Sequence, residues 1–580
     1  MERAEQAAVA AAMRETLRRY VPVIRGWTTP DGKLPDPYET VYSENYAPAN
    51  AAAVLAAVCR AGDGDEAAGL LETMLARTTE LLGDKSGVTP FCRVFLYHYG
   101  LMALLLAPEQ DRIRLAGRFG KTLGAYEDDC PVVNTNCAAL QWAMELFADA
   151  LGLKKADPGL LQHRLAFIAN AQLASGFIND EVTEQASHDG MPIAYHAFTL
   201  FLLASASAVI ERWPDRLEPY RLEADDIVRK GMQWMRRSIT PDGAFAMVER
   251  SGYQMFTWGA LTALLAYTAP DGEYGATARD AYRNWLPYEH DDGTYGCTPN
   301  RLPHSLRVGF ETYTHLNMYN LLGLTGIAVA ERVLERGIRL PERPEGRLEA
   351  EGAPAFVDSD SGYAFYRDGA HFFGCTLRMH NRKYAPAMQG FHFRHAGRTL
   401  PIAEPRLSAS RKFGGEADRD DVWEGCAATD EAGIVHVPDM TENVETAEAA
   451  GGLTMRFEND VLRCEKTIAI GDGGVTWTYV VEAKQPLKDV GHVLPLVVHD
   501  GRDALRIATG GDRELLLQTG LRRYALRYEG TGAPDMELNR SLLSVSGVSA
   551  KVRVRASGPL KAGGTVRWSV ALVPLPDAQP

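Results

Sequence analysis

The sequence predicts a two-part chain: a closed ring of six helical hairpins, an (α/α)6 toroid, followed by an antiparallel β-sandwich. Three observations predict it. Two kinds of helical segment alternate six times up to residue 338. Residues 339–355 (RLPERPEGRLEAEGAPA) then form a Pro-, Glu- and Gly-rich linker. Beyond it, from 356 to 580, the helical period gives way to short alternating runs separated by turn residues.

The first kind of helix is amphipathic and charged. It opens with 4–20 and continues through Asp65–Leu82, Gln110–Leu123, Leu160–Ala174, Leu222–Ile239 and Thr277–Leu286. The second kind is apolar almost all round: Ala47–Val58, Val94–Leu106, Cys137–Leu151, Ala194–Ile210, Trp258–Tyr267 and Leu316–Ala330. A helix apolar on every face is buried on every face, so these form an inner ring and the amphipathic ones an outer ring. A polar, turn-rich loop precedes each inner helix, among them Thr29-Pro30-Asp31-Gly32, Ser187-His188-Asp189-Gly190, Thr240-Pro241-Asp242-Gly243 and Asp291-Asp292-Gly293. An open helical solenoid is the competing arrangement; six units with a sharp inner/outer contrast favour closure.

In the second part, Tyr363–Arg367 and His371–Met379 flank Asp368-Gly369, a hairpin signal. The runs Leu453–Phe457, Val461–Ile470, Val475–Ala483, Val493–Val498, Glu514–Gln518, Tyr524–Tyr528, Leu542–Val545, Val552–Ala556 and Val566–Leu575 read as strands of a sandwich.

Composition narrows function. The 580 residues carry 61 Lys and Arg against 75 Asp and Glu, a net charge of -14, which argues against a nucleic-acid or membrane-surface partner. Eight cysteines without a CxxC pair give neither a disulfide framework nor a zinc ribbon. Charged residues interrupt the N-terminal alanines before any signal-peptide core forms, so a soluble, cytoplasmic protein is the expectation.

Residues with chemistry gather at the starts of the inner helices. The segment 179–196 (NDEVTEQASHDGMPIAYH) carries His188, Tyr195 and His196 where a loop becomes the fourth inner helix. Asn136 opens the third, beside Asn134, which reads as the helix cap. The second unit offers Arg93, Tyr97 and His98, the fifth Arg250, Tyr253 and Gln254, and the sixth Glu311, Tyr313 and His315. Each alone has a structural reading, as a solvated loop charge or a hydrogen-bonded core group. Together they place Tyr, His, Asn and Arg at corresponding ends of neighbouring helices.

With these residues in view, the chain resembles the polysaccharide lyases built from a helical toroid and a β-sandwich: the heparinase II/III-like, alginate and hyaluronate/chondroitin lyases. The local carriers are Asn136, the Tyr195-His196 pair, and the stretch from Ser361-Gly362-Tyr363 to Arg378-Met379-His380-Asn381-Arg382-Lys383-Tyr384. Relatives often place a His directly after the Asn, whereas here Cys137 follows Asn136.

The resemblance implies β-elimination on an acidic polysaccharide or oligosaccharide. A base removes the C5 proton of a uronate, the O4-linked sugar leaves, and no water is added. The site must neutralise the neighbouring carboxylate, and donors aimed at developing charge contribute about 3 to 4 kcal/mol each. Asn136 with Arg250 or His98 is the candidate for that role. Tyr195 is the candidate acid, and also a base if a cation such as Arg250 lowers its pKa. His188 is the candidate separate base, with His196 in reserve. Trp27, Tyr46, Arg93, His98, His196, Tyr253, Gln254, Tyr313 and Arg382 are the expected substrate-binding residues.

No cofactor is expected, and His380, His392 and His395 lack a diagnostic metal spacing. Because the net charge opposes a polyanion, attraction must be local. The basic, aromatic stretches 379–384 and 391–395 are candidates for one wall of the cleft, against the reading as a solvated strand edge. A glycoside hydrolase would instead use paired carboxylates from Asp128, Asp129, Asp189, Asp292 and Glu311, and a non-catalytic carbohydrate binder would need only the aromatics.

Overall fold

The structure is a computed structural model. It describes residues 2–39, 43–62, 65–84, 87–126, 132, 134–180, 193–245, 254–268, 276–306, 315–340, 353–377, 390–404, 422–437 and 444–578. The side chains of 2, 3, 254 and 537–544 lie outside the description.

Six helical hairpins fill the first part. The outer helices are Glu2–Arg19, Asp65–Gly83, Glu109–Gly124, Pro158–Ala171, Glu218–Met235 and Ala276–Trp285. The inner ones are Ala47–Arg60, Pro90–Leu106, Thr135–Ala150, Ile193–Val209, Gln254–Thr268 and Leu316–Arg336. Each inner helix packs on the next, and the last packs back on the first inner and first outer helices. The ring is therefore closed, which excludes the open solenoid.

Local chemistry explains the boundaries. The Thr89 hydroxyl accepts from the Cys92 N–H ahead of Pro90, and Asp157 accepts from Gly159 and Leu160 ahead of the helix that starts at Pro158. Gly337, at φ 63°, ends the last inner helix in the left-handed conformation. The last two inner helices approach unusually closely, because a Cβ on Gly259 would stand 1.9 Å from the Gly323 carbonyl oxygen.

The ring's internal repeat is also visible in its turns. Thr29, Leu173, Thr240 and His290 each donate their N–H to the carbonyl four residues on, and each accepts from the N–H three residues on. In the fourth unit this turn is Leu173–Phe177. The turn expected at 187–190 lies outside the described residues.

Among the described residues the second part holds three antiparallel sheets. The first contains Ala355–Asp358, Tyr363–Asp368, His371–Thr376, Phe391–His395 and Arg398–Thr399. The expected hairpin is present, with Asp368 opposite His371 across the turn. An eight-stranded sheet runs in the spatial order 505–511, 514–519, 522–529, 565–575, 474–483, 462–471, 452–458 and 444–449. A five-stranded sheet runs 534–544, 547–557, 487–499, 425–430 and 435–436.

The first sheet is a wedge between two cores. Tyr363, Phe365, Phe372 and Phe391 join the helical core, while Ala364, Tyr366, Phe373 and Phe393 join the sandwich core. Alternate residues of one strand thus serve opposite sides, which is why this run is apolar throughout. Polar ties lock the parts together: the Trp234 indole donates to Asp358 at 2.8 Å, and Arg394 pairs with Asp242 at 3.1 Å. The described cysteines are free thiols, and no described helix is long and apolar enough to cross a membrane.

Candidate active site

At the start of the third inner helix, the Asn134 side chain accepts from the Cys137 N–H at 3.0 Å and caps the helix as expected. One turn of chemistry follows it. The Asp180 carboxylate, 1% exposed, accepts from the Thr135 hydroxyl at 2.8 Å and from the Asn136 backbone N–H at 3.0 Å. The Asn136 side-chain nitrogen stands 3.0 Å from both carboxylate oxygens. A carboxylate at a helix N-terminus is favoured by the orphan N–H groups and the helix dipole.

This arrangement fixes the Asn136 amide. Because a carboxylate only accepts, the amide nitrogen must face Asp180 and the amide oxygen must face away. That oxygen is buried and has no hydrogen-bond partner among the described residues. Asn136 itself is 3% exposed.

The Thr135 hydroxyl also stands 2.9 Å from the Thr199 hydroxyl on the fourth inner helix. Since Thr135 donates to Asp180, the Thr199 hydroxyl donates to Thr135. Tyr195 lies four residues before Thr199, on the same helix face and about 6 Å nearer the helix start. It is half-buried, unlike the fully buried residues that follow it. Tyr195 and Asn136 thus belong to adjacent inner helices at the same end of the ring.

Two expected binding residues are corrected. His196 is fully buried: its Nδ1 accepts from the Ile178 N–H at 2.9 Å and its Nε2 donates to the Gly231 carbonyl at 3.2 Å. Its ring stacks on Phe177 at 4.6 Å, and burial pushes its pKa down to about 3. His98 is equally buried, donates from Nδ1 to the Leu140 carbonyl at 3.3 Å, and is held by burial at about 3. Both are fully buried and burial favours their neutral form, so neither is placed to meet a substrate carboxylate or to take its proton.

The remaining expected residues divide into two groups. Tyr46 stacks on Phe95 at 4.3 Å, Arg93 donates to the Val88 carbonyl at 2.8 Å, Tyr97 packs against Tyr126, and Trp27 packs edge-on against Tyr20. All four are mostly covered. His188, Arg250, Tyr253, Tyr313 and Arg382 lie outside the described residues, as does the Gln254 side chain.

The hydrolase candidates fare similarly. Asp292 accepts from the Thr294 N–H and hydroxyl and from Tyr38, so its carboxylate serves its own turn. Asp128, Asp129, Asp189 and Glu311 are outside the description. Among the described residues no three His, Cys, Asp or Glu side chains gather as a metal site. The strand 391–395 is no solvated edge: Phe391, Phe393 and Arg394 are buried, and His392 pairs with Glu404 at 3.1 Å.

Sequence reasoning missed Asp180, Thr135 and Thr199. Asp180 stands 44 residues from Asn136, and no spacing rule connects a loop carboxylate to an amide at that separation. The only local signal was an acidic residue next to Asn179 directly after a buried Phe177-Ile178 pair.

No protein family profile and no curated protein matches the chain. Solved structures do resemble it. The chondroitin AC lyase of Streptomyces coelicolor A3 is 13% identical, with 98% of this chain and 79% of that one covered and a TM-score of 0.48. The heparan sulfate lyase of Pedobacter heparinus is 11% identical, with 98% and 84% covered and a TM-score of 0.46. A Paenibacillus xanthan lyase is 10% identical, with 98% and 57% covered and a TM-score of 0.49. These similar structures are polysaccharide lyases, and at such identities the likeness concerns the fold.

Proposed function

We propose that this protein is a polysaccharide lyase that cleaves a uronate-containing glycan by β-elimination. The observation that carries the reading is the Asp180–Asn136 clamp, joined through Thr135 and Thr199 to the helix turn that presents Tyr195. A lyase needs a donor that meets the substrate carboxylate and a phenol that handles a proton one residue-length away. The clamp provides the first: with one amide N–H shared between the Asp180 oxygens, the second N–H remains for a substrate.

In this mechanism a base takes the C5 proton, the C5–H electron pair becomes the C4–C5 double bond, and the C4–O bond breaks. The leaving O4 takes a proton from Tyr195. Asn136 holds the carboxylate as charge spreads onto it, and Asp180 is a positioning residue that fixes the amide. His188 is the proposed base, and Arg250 the cation beside it. General acid and base catalysis of this kind contributes about 10² to 10⁴ in rate. Tyr195→Phe tests the assignment: turnover falls by at least about 10² while folding and substrate binding persist. Retained turnover would remove Tyr195 from the mechanism.

A further inference from the structure

At the far end of the ring, the C-terminal ends of four inner helices surround a recess of about 560 Å³. Its lining includes Arg60, Arg112, Arg212, Arg332 and Arg336 against two carboxylates, Glu109 and Glu211. It lies about 24 Å from Tyr195, the length of the fourth inner helix. In a chain of net charge -14 such a concentration of guanidinium groups runs against the overall balance.

Part of it is structural. Arg332, 1% exposed, donates Nε to the Ala208 carbonyl at 3.0 Å and Nη2 to Val209 at 3.1 Å, capping the fourth inner helix. Arg112 donates to Leu105 at 3.1 Å and caps the second. Capping does not exhaust the donors. Arg332 Nη1, Arg60 Nη1 and Arg112 Nε are all buried with no acceptor among the described residues. Glu211 is divided between Arg332 at 3.1 Å and Arg112 at 3.5 Å, and Glu331 between Arg60 and Arg14. Arg212 and Arg336 are exposed at the rim and enter no ion pair among the described residues. Burial above all, with the nearby Arg60 and Arg336, pushes the Arg332 guanidinium down to about 10, against the opposing pull of Glu211.

Buried N–H donors without acceptors are rare and costly, and facing guanidinium groups repel. A doubly charged anion with several acceptor oxygens relieves both at once, and the planar fork of Arg matches it. We propose that this recess binds a tetrahedral oxyanion, phosphate or sulfate, either free or carried on a sugar.

The test is thermal unfolding of the full chain titrated with sodium sulfate and with sodium phosphate at constant ionic strength, using sodium chloride as the control. The wild type should be stabilised saturably by sulfate or phosphate and not by chloride. Arg336→Ala and Arg212→Ala, both exposed and remote from the core, should each raise the half-saturating concentration roughly tenfold. Glucose 6-phosphate separates the two sources: tighter binding than phosphate points to a sugar-borne group, equal or weaker binding to the free anion. No saturable response in the wild type, or a half-saturating concentration unchanged from wild type in both variants, would overturn the proposal and leave an adventitious ion only.

Discussion

Asp180→Asn changes one atom and strikes the joint between architecture and chemistry. The carboxylate is 1% exposed and takes hydrogen bonds from Thr135, the Asn136 backbone and the Asn136 amide. If the new amide keeps its oxygen toward Thr135 and the backbone N–H, its nitrogen meets the Asn136 nitrogen donor to donor, at a site now 3.0 Å wide. One buried donor is then unmet, which costs about 1–3 kcal/mol. If the Asn136 amide turns over instead, stability is largely kept but its oxygen and nitrogen exchange places toward the substrate. Either way the donor meant for the uronate carboxylate is lost or displaced, and kcat should fall by up to about 10² to 10³. KM should hold or fall, because a negative charge near an anionic substrate is removed. The assay is the ultraviolet absorbance of the new double bond, paired with denaturant unfolding of the same protein. A variant with reduced stability and an unchanged kcat would make Asp180 a helix cap and nothing more, and would refute the positioning argument.

Three further outcomes follow from the packing. Acid should destabilise the protein below about pH 6.5, because His98 and His196 stay neutral when folded down to about pH 3 while the unfolded chain protonates them. The stability they contribute is complete above the unfolded pKa and is lost as pH falls toward the folded value, at about 1.4 kcal/mol per pH unit for each; His196→Asn should flatten the pH dependence of unfolding, and an unchanged slope would contradict the neutral assignment. Gly259→Ala should cost at least about 1–3 kcal/mol, since the added methyl meets the Gly323 backbone, whereas Gly117→Ala, on an exposed outer-helix position with nothing within 4 Å, should be neutral or stabilising when both are compared by denaturant titration. Lys466→Met should cost about 3–5 kcal/mol, because it leaves the buried Glu424 carboxylate, now paired at 2.5 Å, with only Tyr479 and His492; a loss under 1 kcal/mol, of the size ~0–1 expected for a surface pair, would show that water reaches the cluster.

The ring was legible because its signal is periodic. Segments such as Ala47–Val58 are apolar on all faces, and only burial on all faces accounts for that. The long strands of the eight-stranded sheet were legible for the same reason, with burial alternating residue by residue along Leu462–Gly471. Short and edge strands were missed, among them Ala355–Asp358, Gly425–Asp430, Val444–Ala449 and Leu505–Gly511. Val444–Ala449 and Leu505–Gly511 are largely exposed and polar, and a pleated edge with little buried surface leaves no alternation to read.

The site was legible by residue type and only partly by role. Tyr195 and its neighbour His196 looked equivalent in sequence, yet Tyr195 is half-buried while the imidazole lies in the core against Phe177 and Trp234. Position around a helix decides this, and a loop-to-helix junction does not announce its phase. Asn136 was named as a candidate, but the carboxylate that contacts it was not, because the contact spans two units of the ring.

The most direct measurement of the central claim is the product formed from defined uronate polymers. Elimination should give one new C4–C5 double bond per broken linkage, seen as rising ultraviolet absorbance, with no oxygen from labelled water entering the product. New reducing ends that carry the label and no chromophore would contradict it.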